Sequence, residues 1–425
     1  IFMENKICIF WFRRDFRLED NAGLYHALKH GLKVLPVFIF DTIILNKLED
    51  KNDARVTFIY REVERLKAQL EEKGSSLLIK IGKPEDIWKE LIKDYKIDTV
   101  YVNRDYEPAA RKRDEAVRKF LSKEGVAFKD FKDQVIFEKD EVLKDDASPY
   151  VVFTPYKRRW QQKLKPFYYK RYPSEKYLKN LLSVKKSILP SLDEVGFKKS
   201  TAKFPDKRYE NILENYSSER DFPAKDATSH IGIHLRFGTV SIRKLVSDAI
   251  ESKSETWLNE LIWRDFYFAI IWHFPHSAED SFRPEYDRIK WRNNEKEFAA
   301  WCEGKTGFPM VDAGMRQLNE TGFMHNRVRM ITASFLCKHL LIDWRWGEQY
   351  FARKLLDYEL ASNVGGWQWA AGSGVDAAPY FRIFNPYEQQ KKFDKKGEYI
   401  RKWIAEFDKP FDYPGPTVDH KVARE

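Results

Sequence analysis

Glu260 and Trp263 stand three residues apart in "WLNELIWRDFYFAIIWH", a spacing that puts both on one face of a helix. Together they offer a hydrogen-bonding carboxyl beside a stacking surface; the plainer reading is a buried Trp near a surface Glu. In "GFMHNRVRMITASFLCKHLLIDW", Asn326 and Met330 are four apart and share a face, with Arg329 adjacent. Asp357 in "LLDYELASN" is a natural acid for Arg329. Such a pair either braces the fold or fixes charge beside a cofactor. The stretch "NVGGWQWAAGSGVDAAPYFRIFNP" carries the densest chemistry. Asn363 can both donate to and accept from a heteroaromatic ring. Gly365 and Gly366 remove side chains where a flat ligand or another backbone approaches. Trp367 and Trp369, two apart, project in different directions. With Trp344 and Trp291, indoles gathered near one site could pass an electron stepwise, although spacing alone does not bring them together.

Elements must hold these residues in place. Residues 6–12, 33–39, 76–80 and 98–102 read as short apolar strands. Helical patterns at 20–30, 54–73, 85–94 and 108–123 alternate with them, which predicts a doubly wound, Rossmann-like parallel sheet over residues 3–135. Ligands of such sheets bind beyond the strand C-termini, where "WFRRDFRLEDN" follows the first strand. That segment has neither GxGxxG nor GKS/T, so a dinucleotide or P-loop reading lacks its fingerprint. Residues 136–204 are irregular and basic and read as an interdomain linker. From 205 to 425 the pattern is helical (240–252, 255–273, 295–303, 310–319, 323–338, 346–356), so a cofactor would lie between helices.

Most of the net charge of +10 falls in the linker. It is either a solvated run or an attraction for a polyanion such as DNA. No apolar run approaches the roughly 18 residues of a membrane span, and the N-terminus lacks a signal-peptide layout. The residues before Met3 read as an added remnant. Cys8, Cys302 and Cys337 are few, odd in number and far apart, which speaks against a disulfide framework or a Cys-based zinc site and suits a reducing cytoplasm. No metal is expected.

"WFRRDFRLEDN", "GKTGFPMVDAGMRQLNETGFMHNRVRMITASFL" and the 363–386 stretch together resemble the photolyase/cryptochrome family from about residue 6 onward. Within it the chain is most similar to class I cyclobutane pyrimidine dimer photolyases. The resemblance implies an α/β antenna domain and an α-helical FAD-binding catalytic domain. It implies FAD held by Tyr216, Thr228, Ser229, Gly232, Leu235, Arg329, Asp357 and Asn363. Trp367, Trp344 and Trp291 would carry electrons to the flavin. Glu260, Trp263, Asn326, Met330 and Trp369 would line the lesion cavity, with Arg220 and Arg327 contacting the damaged DNA. A monomer, with no membrane association, is implied as well. Ala109 and Ala110 stand where folate-binding relatives carry Asn-Glu, so a second, antenna chromophore is left unidentified and folate is disfavoured. Asn326 and Met330 occupy the region where (6-4) photolyases carry a His pair. The long tail of signalling cryptochromes is missing, which favours repair over signalling, and a blue-light receptor is the competing reading.

Overall fold

Five strands form one parallel sheet in the order β3-β2-β1-β4-β5: β1 (Ile7–Phe12), β2 (Val34–Asp41), β3 (Leu78–Gly82), β4 (Ile97–Asn103) and β5 (Ala127–Phe131). The computed structural model describes residues 5–377, 379, 382–409 and 412–424. Ile1 to Met3, and Ala378, Tyr380 and Phe381 of the third motif, lie outside the described residues. Strands buried on both faces read as apolar runs, and β1 and most of β2 are buried throughout. Ile7, Ile9 and Trp11 of β1 pack with Trp88, Leu91, Val117 and Leu121. Those partners belong to two helices, α3 (Pro84–Asp94) and α4 (Pro108–Lys123), numbered after α1 (Ala22–Leu28) and α2 (Ala54–Glu71). On the other face α1 approaches so closely that a Cβ on Gly23 would sit 2.8 Å from the Phe10 ring.

The chain divides into two compact units that do not follow it in single blocks. Ile1–Glu138, Leu164–Lys207 and Ile233–Ser247 make the first; Lys139–Lys163, Arg208–Gly232 and Asp248–Glu425 make the second. The middle region expected to be irregular contains a helix of the second unit, α5 (Phe153–Lys163). Its Phe153, Tyr156 and Trp160 are buried along one stripe, and Trp160 Nε1 donates to Asp265 at 3.0 Å.

Within the first unit "WFRRDFRLEDN" becomes a closed ionic lattice. Arg17 donates to Asp133 (2.6 Å), and Arg243 donates to Asp20 (2.9 Å) and Asp133 (2.7 Å). Burial pushes the Asp133 carboxyl up, and Arg17 and Arg243 more than offset it, leaving it below its ordinary value. Asn21 caps α1 by accepting from Leu24 N at 3.0 Å.

In the second unit the site is carried by four further helices: α6 (Glu255–His273), α7 (Asn326–Lys338), α8 (Trp344–Lys354) and α9 (Leu360–Ala371). Among the described residues no named strand follows β5, and no helix is long and apolar enough to cross a membrane.

Candidate active site

α6, α7, α8 and α9 surround a cavity of about 460 Å³, within the usual range for small-molecule and cofactor sites. From α6 come Glu260, Trp263, Arg264 and Tyr267. α7 supplies Asn326, Arg327, Arg329 and Met330, and α9 supplies Asn363, Gly366, Trp367 and Trp369. Arg220 and Asp357 complete the charged part of the wall.

Part of the lining is aromatic. Trp263 is stacked on Phe153 of α5 with ring centroids 3.6 Å apart and planes 5° from parallel. Tyr267, one helical turn on, lies 5.6 Å from Trp263 at 29°. On the α9 side Trp367 is 2% exposed and meets Phe351 edge-on at 4.9 Å and Trp301 at 6.0 Å. Gly347 of α8 lets that helix close over the indole: a Cβ there would lie 2.1 Å from Trp367 Cη2.

The rest of the lining is largely polar. Glu260 accepts a hydrogen bond from Arg220. Burial pushes the Glu260 carboxyl above the ordinary value, and Arg220 opposes that rise. Arg327 pairs with Asp221 at 2.8 Å and lies over the Phe393 ring, while its buried Nε meets no acceptor among the described residues. Arg329 donates to both carboxylate oxygens of Asp357, at 2.9 and 3.2 Å. Asn363 donates through Nδ2 to the Glu348 carboxylate at 3.0 Å. Burial raises the Glu348 carboxyl against the pull of Asn363 and Tyr358. Arg264 and Glu359 form a buried pair at 2.9 Å on the same wall.

Not every residue singled out from the sequence reaches this wall. Tyr216, Thr228 and Ser229 are not among the lining residues. Gly232 touches the cavity's acid, since a Cβ there would sit 2.8 Å from an Asp357 carboxylate oxygen. Leu235 falls in the first unit. Trp344 is buried in the same core as Trp367, and Trp291 packs on the margin of that core.

The two glycines of the third motif meet different surroundings. A Cβ on Gly365 would strike the Tyr267 ring at 2.3 Å, so this glycine makes room for α6. Gly366 has nothing within 4 Å of its Cβ position and borders the cavity. Phe153, Tyr267, Glu348 and Gly347 were not singled out from the sequence. Only Phe153 left a usable signal there, the 153/156/160 apolar stripe of α5.

Residues 8–176 match the family described as DNA photolyase, and residues 257–412 match the FAD binding domain of DNA photolyase. The deoxyribodipyrimidine photo-lyase of Alkalihalophilus pseudofirmus is 38% identical, over 98% of this chain and 95% of that protein. The crystal structure of a class III photolyase from Agrobacterium tumefaciens is similar at TM-score 0.86 and 35% identity, over 99% of this chain and 96% of that one. An archaeal photolyase from Sulfolobus tokodaii, solved with two FAD molecules, is similar at TM-score 0.80 and 35% identity, over 98% and 97% of the two chains. A Synechocystis cryptochrome is similar at TM-score 0.85 and 26% identity, over 99% of each chain.

Proposed function

The chain belongs to the DNA photolyase family, and from that premise we propose that it is a carbon–carbon lyase that uses light and FAD to split cyclobutane pyrimidine dimers in DNA. The observation that carries this reading is a single cavity whose lining brings Trp263, stacked on Phe153, together with Glu260, Asn363 and the Arg329–Asp357 pair.

The residues fit a flavin. Gly366 offers bare backbone to a flat ring, Asn363 keeps Oδ1 as an acceptor once Nδ2 is committed to Glu348, and Arg329–Asp357 sets fixed charge on the wall. Tyr216, Thr228, Ser229, Gly232 and Leu235 are assigned to the remainder of the FAD. Bound there and reduced, FAD would supply the light-driven one-electron chemistry that splits the cyclobutane ring.

The chain's own groups select and hold the lesion. Photolyases extrude their target nucleotides, at a cost of roughly a few kcal/mol that is smallest for damaged bases. Stacking on an aromatic side chain returns about 1–3 kcal/mol per base. Trp263 and Trp369 therefore offset most of the cost for a dimer and less of it for well-stacked normal thymines. Glu260, its carboxyl pushed above the ordinary value by burial against the pull of Arg220, is assigned to the pyrimidine carbonyls, where charge develops. Asn326 and Met330 complete the pocket. Neither titrates near neutral pH, so the pocket has no imidazole to donate a proton during (6-4) repair. Trp367, Trp344 and Trp291 are assigned as the route by which the flavin is recharged, supported by their common core. Arg220 and Arg327 are assigned to DNA.

Residues 3–135 are assigned antenna function with a flavin-like second chromophore, 136–204 the connection, and 205–425 the catalysis. The protein is proposed to act as a cytoplasmic monomer. A photoreceptor would share the flavin and the tryptophans but has no need of a stacking wall beside Glu260. The deciding experiment offers dimer-bearing and (6-4)-bearing DNA to one photoreduced preparation and follows each by chromatography. Reversal of the dimer alone is expected; no reversal of either lesion, or efficient reversal of the (6-4) product, overturns the reading.

A further inference from the structure

At the opposite edge of the parallel sheet from the strand C-termini, three residues from three elements converge. Cys8 is the second residue of β1, Asp98 the second residue of β4, and His30 lies in the loop between α1 and β2. A thiol sulfur, an imidazole nitrogen and a carboxylate oxygen lie within 4.8 Å of one another. The β1–β4 register explains how. Ile7 pairs with Ile97, but Cys8 pairs with Thr99, so Asp98 is the extra residue of a bulge. Regular alternation sends neighbouring side chains to opposite faces, and a bulge re-aims the residue it inserts.

The His30 ring is held from both of its nitrogens. Its Nδ1 is engaged by the Tyr101 hydroxyl at 2.5 Å, while Nε2 sits 3.3 Å from Asp98. A partner on the distal ring nitrogen fixes the tautomer and orients the ring of a metal-binding histidine. Cys8 is fully buried, whereas the His30 and Asp98 side chains are 22% and 28% exposed, so the cluster has a dry floor and an open mouth. The groups already on Asp98 are Thr99 Oγ1 at 2.8 Å and the exposed Lys6 at 3.4 Å, and the latter can swing away.

We propose that Cys8, His30 and Asp98 form a site for one thiophilic divalent cation of zinc's class, with solvent as fourth ligand, pinning β1, β4 and the α1–β2 loop together. Thiolate, imidazole and carboxylate in a four-coordinate arrangement select zinc over the hard cations. The site departs from the expectation that no metal is held. That expectation rested on cysteine spacing along the chain, which cannot register a cysteine joined by a histidine and an aspartate from other elements.

The probe is Co²⁺, titrated into the full, flavin-loaded chain after chelator treatment and read at wavelengths beyond flavin absorption. One equivalent is expected to bind with the visible bands of a four-coordinate site, and Zn²⁺ is expected to displace it. Cys302→Ser should leave those bands unchanged, and Cys8→Ser should abolish them. Tyr101→Phe should weaken binding about 10–100-fold, as loss of a group orienting a ligand does. Zn²⁺ should raise the Tm of the wild type and of Cys302→Ser. Should Cys8→Ser fail to fold, His30→Gln and Asp98→Asn, at half-exposed positions, carry the same test. Absence of one-equivalent binding, or bands that survive both of those substitutions, overturns the proposal.

Discussion

The arginines of the two units are used in opposite ways. In the first, Arg17 and Arg243 are almost wholly buried and share Asp20 and Asp133 in a lattice that also takes in the Gly238 carbonyl and the Ala22 amide. In the second, Arg220, Arg327 and Arg329 each engage a carboxylate and also border the cavity. Removing one member of a saturated buried lattice strands the others, so such arginines hold a fold. Arginines that border a cavity keep donors at a surface where a phosphate or a ring can arrive. The difference teaches that the conspicuous run "WFRRDFRLEDN" is mainly cement, while the less basic-looking helices carry the ligand-facing charge.

The sharpest way to break this contrast is to remove an acid from each unit. Asp133→Ala should cost about 3–5 kcal/mol of stability, because two buried arginines lose their partner; urea unfolding measures it. Asp357→Ala should cost far less stability but should release flavin on gel filtration. Equal stability losses with flavin retained in both variants would erase the distinction.

Next in size come the aromatic walls. Trp263→Ala should weaken binding of dimer-bearing DNA by about 1–3 kcal/mol and leave flavin content intact. Phe153→Ala should weaken it by a smaller amount in the same direction, because it loosens the ring that does the stacking. Fluorescence anisotropy with damaged and undamaged oligonucleotides checks both, and a loss that is equal on undamaged DNA would remove Trp263 from lesion recognition. Gly347→Ala should destabilise by about 1–3 kcal/mol through overpacking and slow photoreduction of the flavin. Gly366→Ala should leave the melting curve in place and lower flavin affinity.

Two smaller effects sharpen the electrostatic side. Burial holds His325 and His339 near pH 4 against an ordinary 6.5. The unfolded chain therefore binds protons that the folded chain refuses between these values, and stability should fall as pH drops from about 6.5 toward 4. Urea midpoints at pH 7 and pH 5 test the sign, and replacing His339 by Gln should flatten the trend. Last, Arg327→Ala should reduce the salt slope of DNA binding by about 0.9 for one lost phosphate contact. A larger change from Lys157→Ala, on α5, would move the DNA footprint off the cavity.

Legibility followed the same division. Strands β1, β2 and β4 are readable because burial on both faces leaves few polar residues in them. β5, "AFKDF", escaped because an edge strand with half-exposed positions carries Lys129 and Asp130 like a loop. α5 was hidden among the charges of "YKRRW", although its apolar stripe was present. In the site, partners one turn apart on a helix, such as Glu260 and Trp263, were visible from spacing. The Phe153–Trp263 stack was not, since it joins residues that only the folded chain brings together. Which partner Gly365 meets was open for a related reason: a glycine announces a close approach without saying what approaches.

Trp367 is enclosed by Phe351, Trp301 and the bare backbone of Gly347, with almost no contact with solvent. Close-packed interiors are stiff, so its surroundings have little room to rearrange when the indole changes charge. The same dryness leaves a positive charge there poorly solvated. On the proposed reading, a vacancy created on this ring is quick to form and uncomfortable to keep. The packing makes Trp367 a place of transit, and on the proposed route charge moves outward, toward Trp291 on the margin of the core.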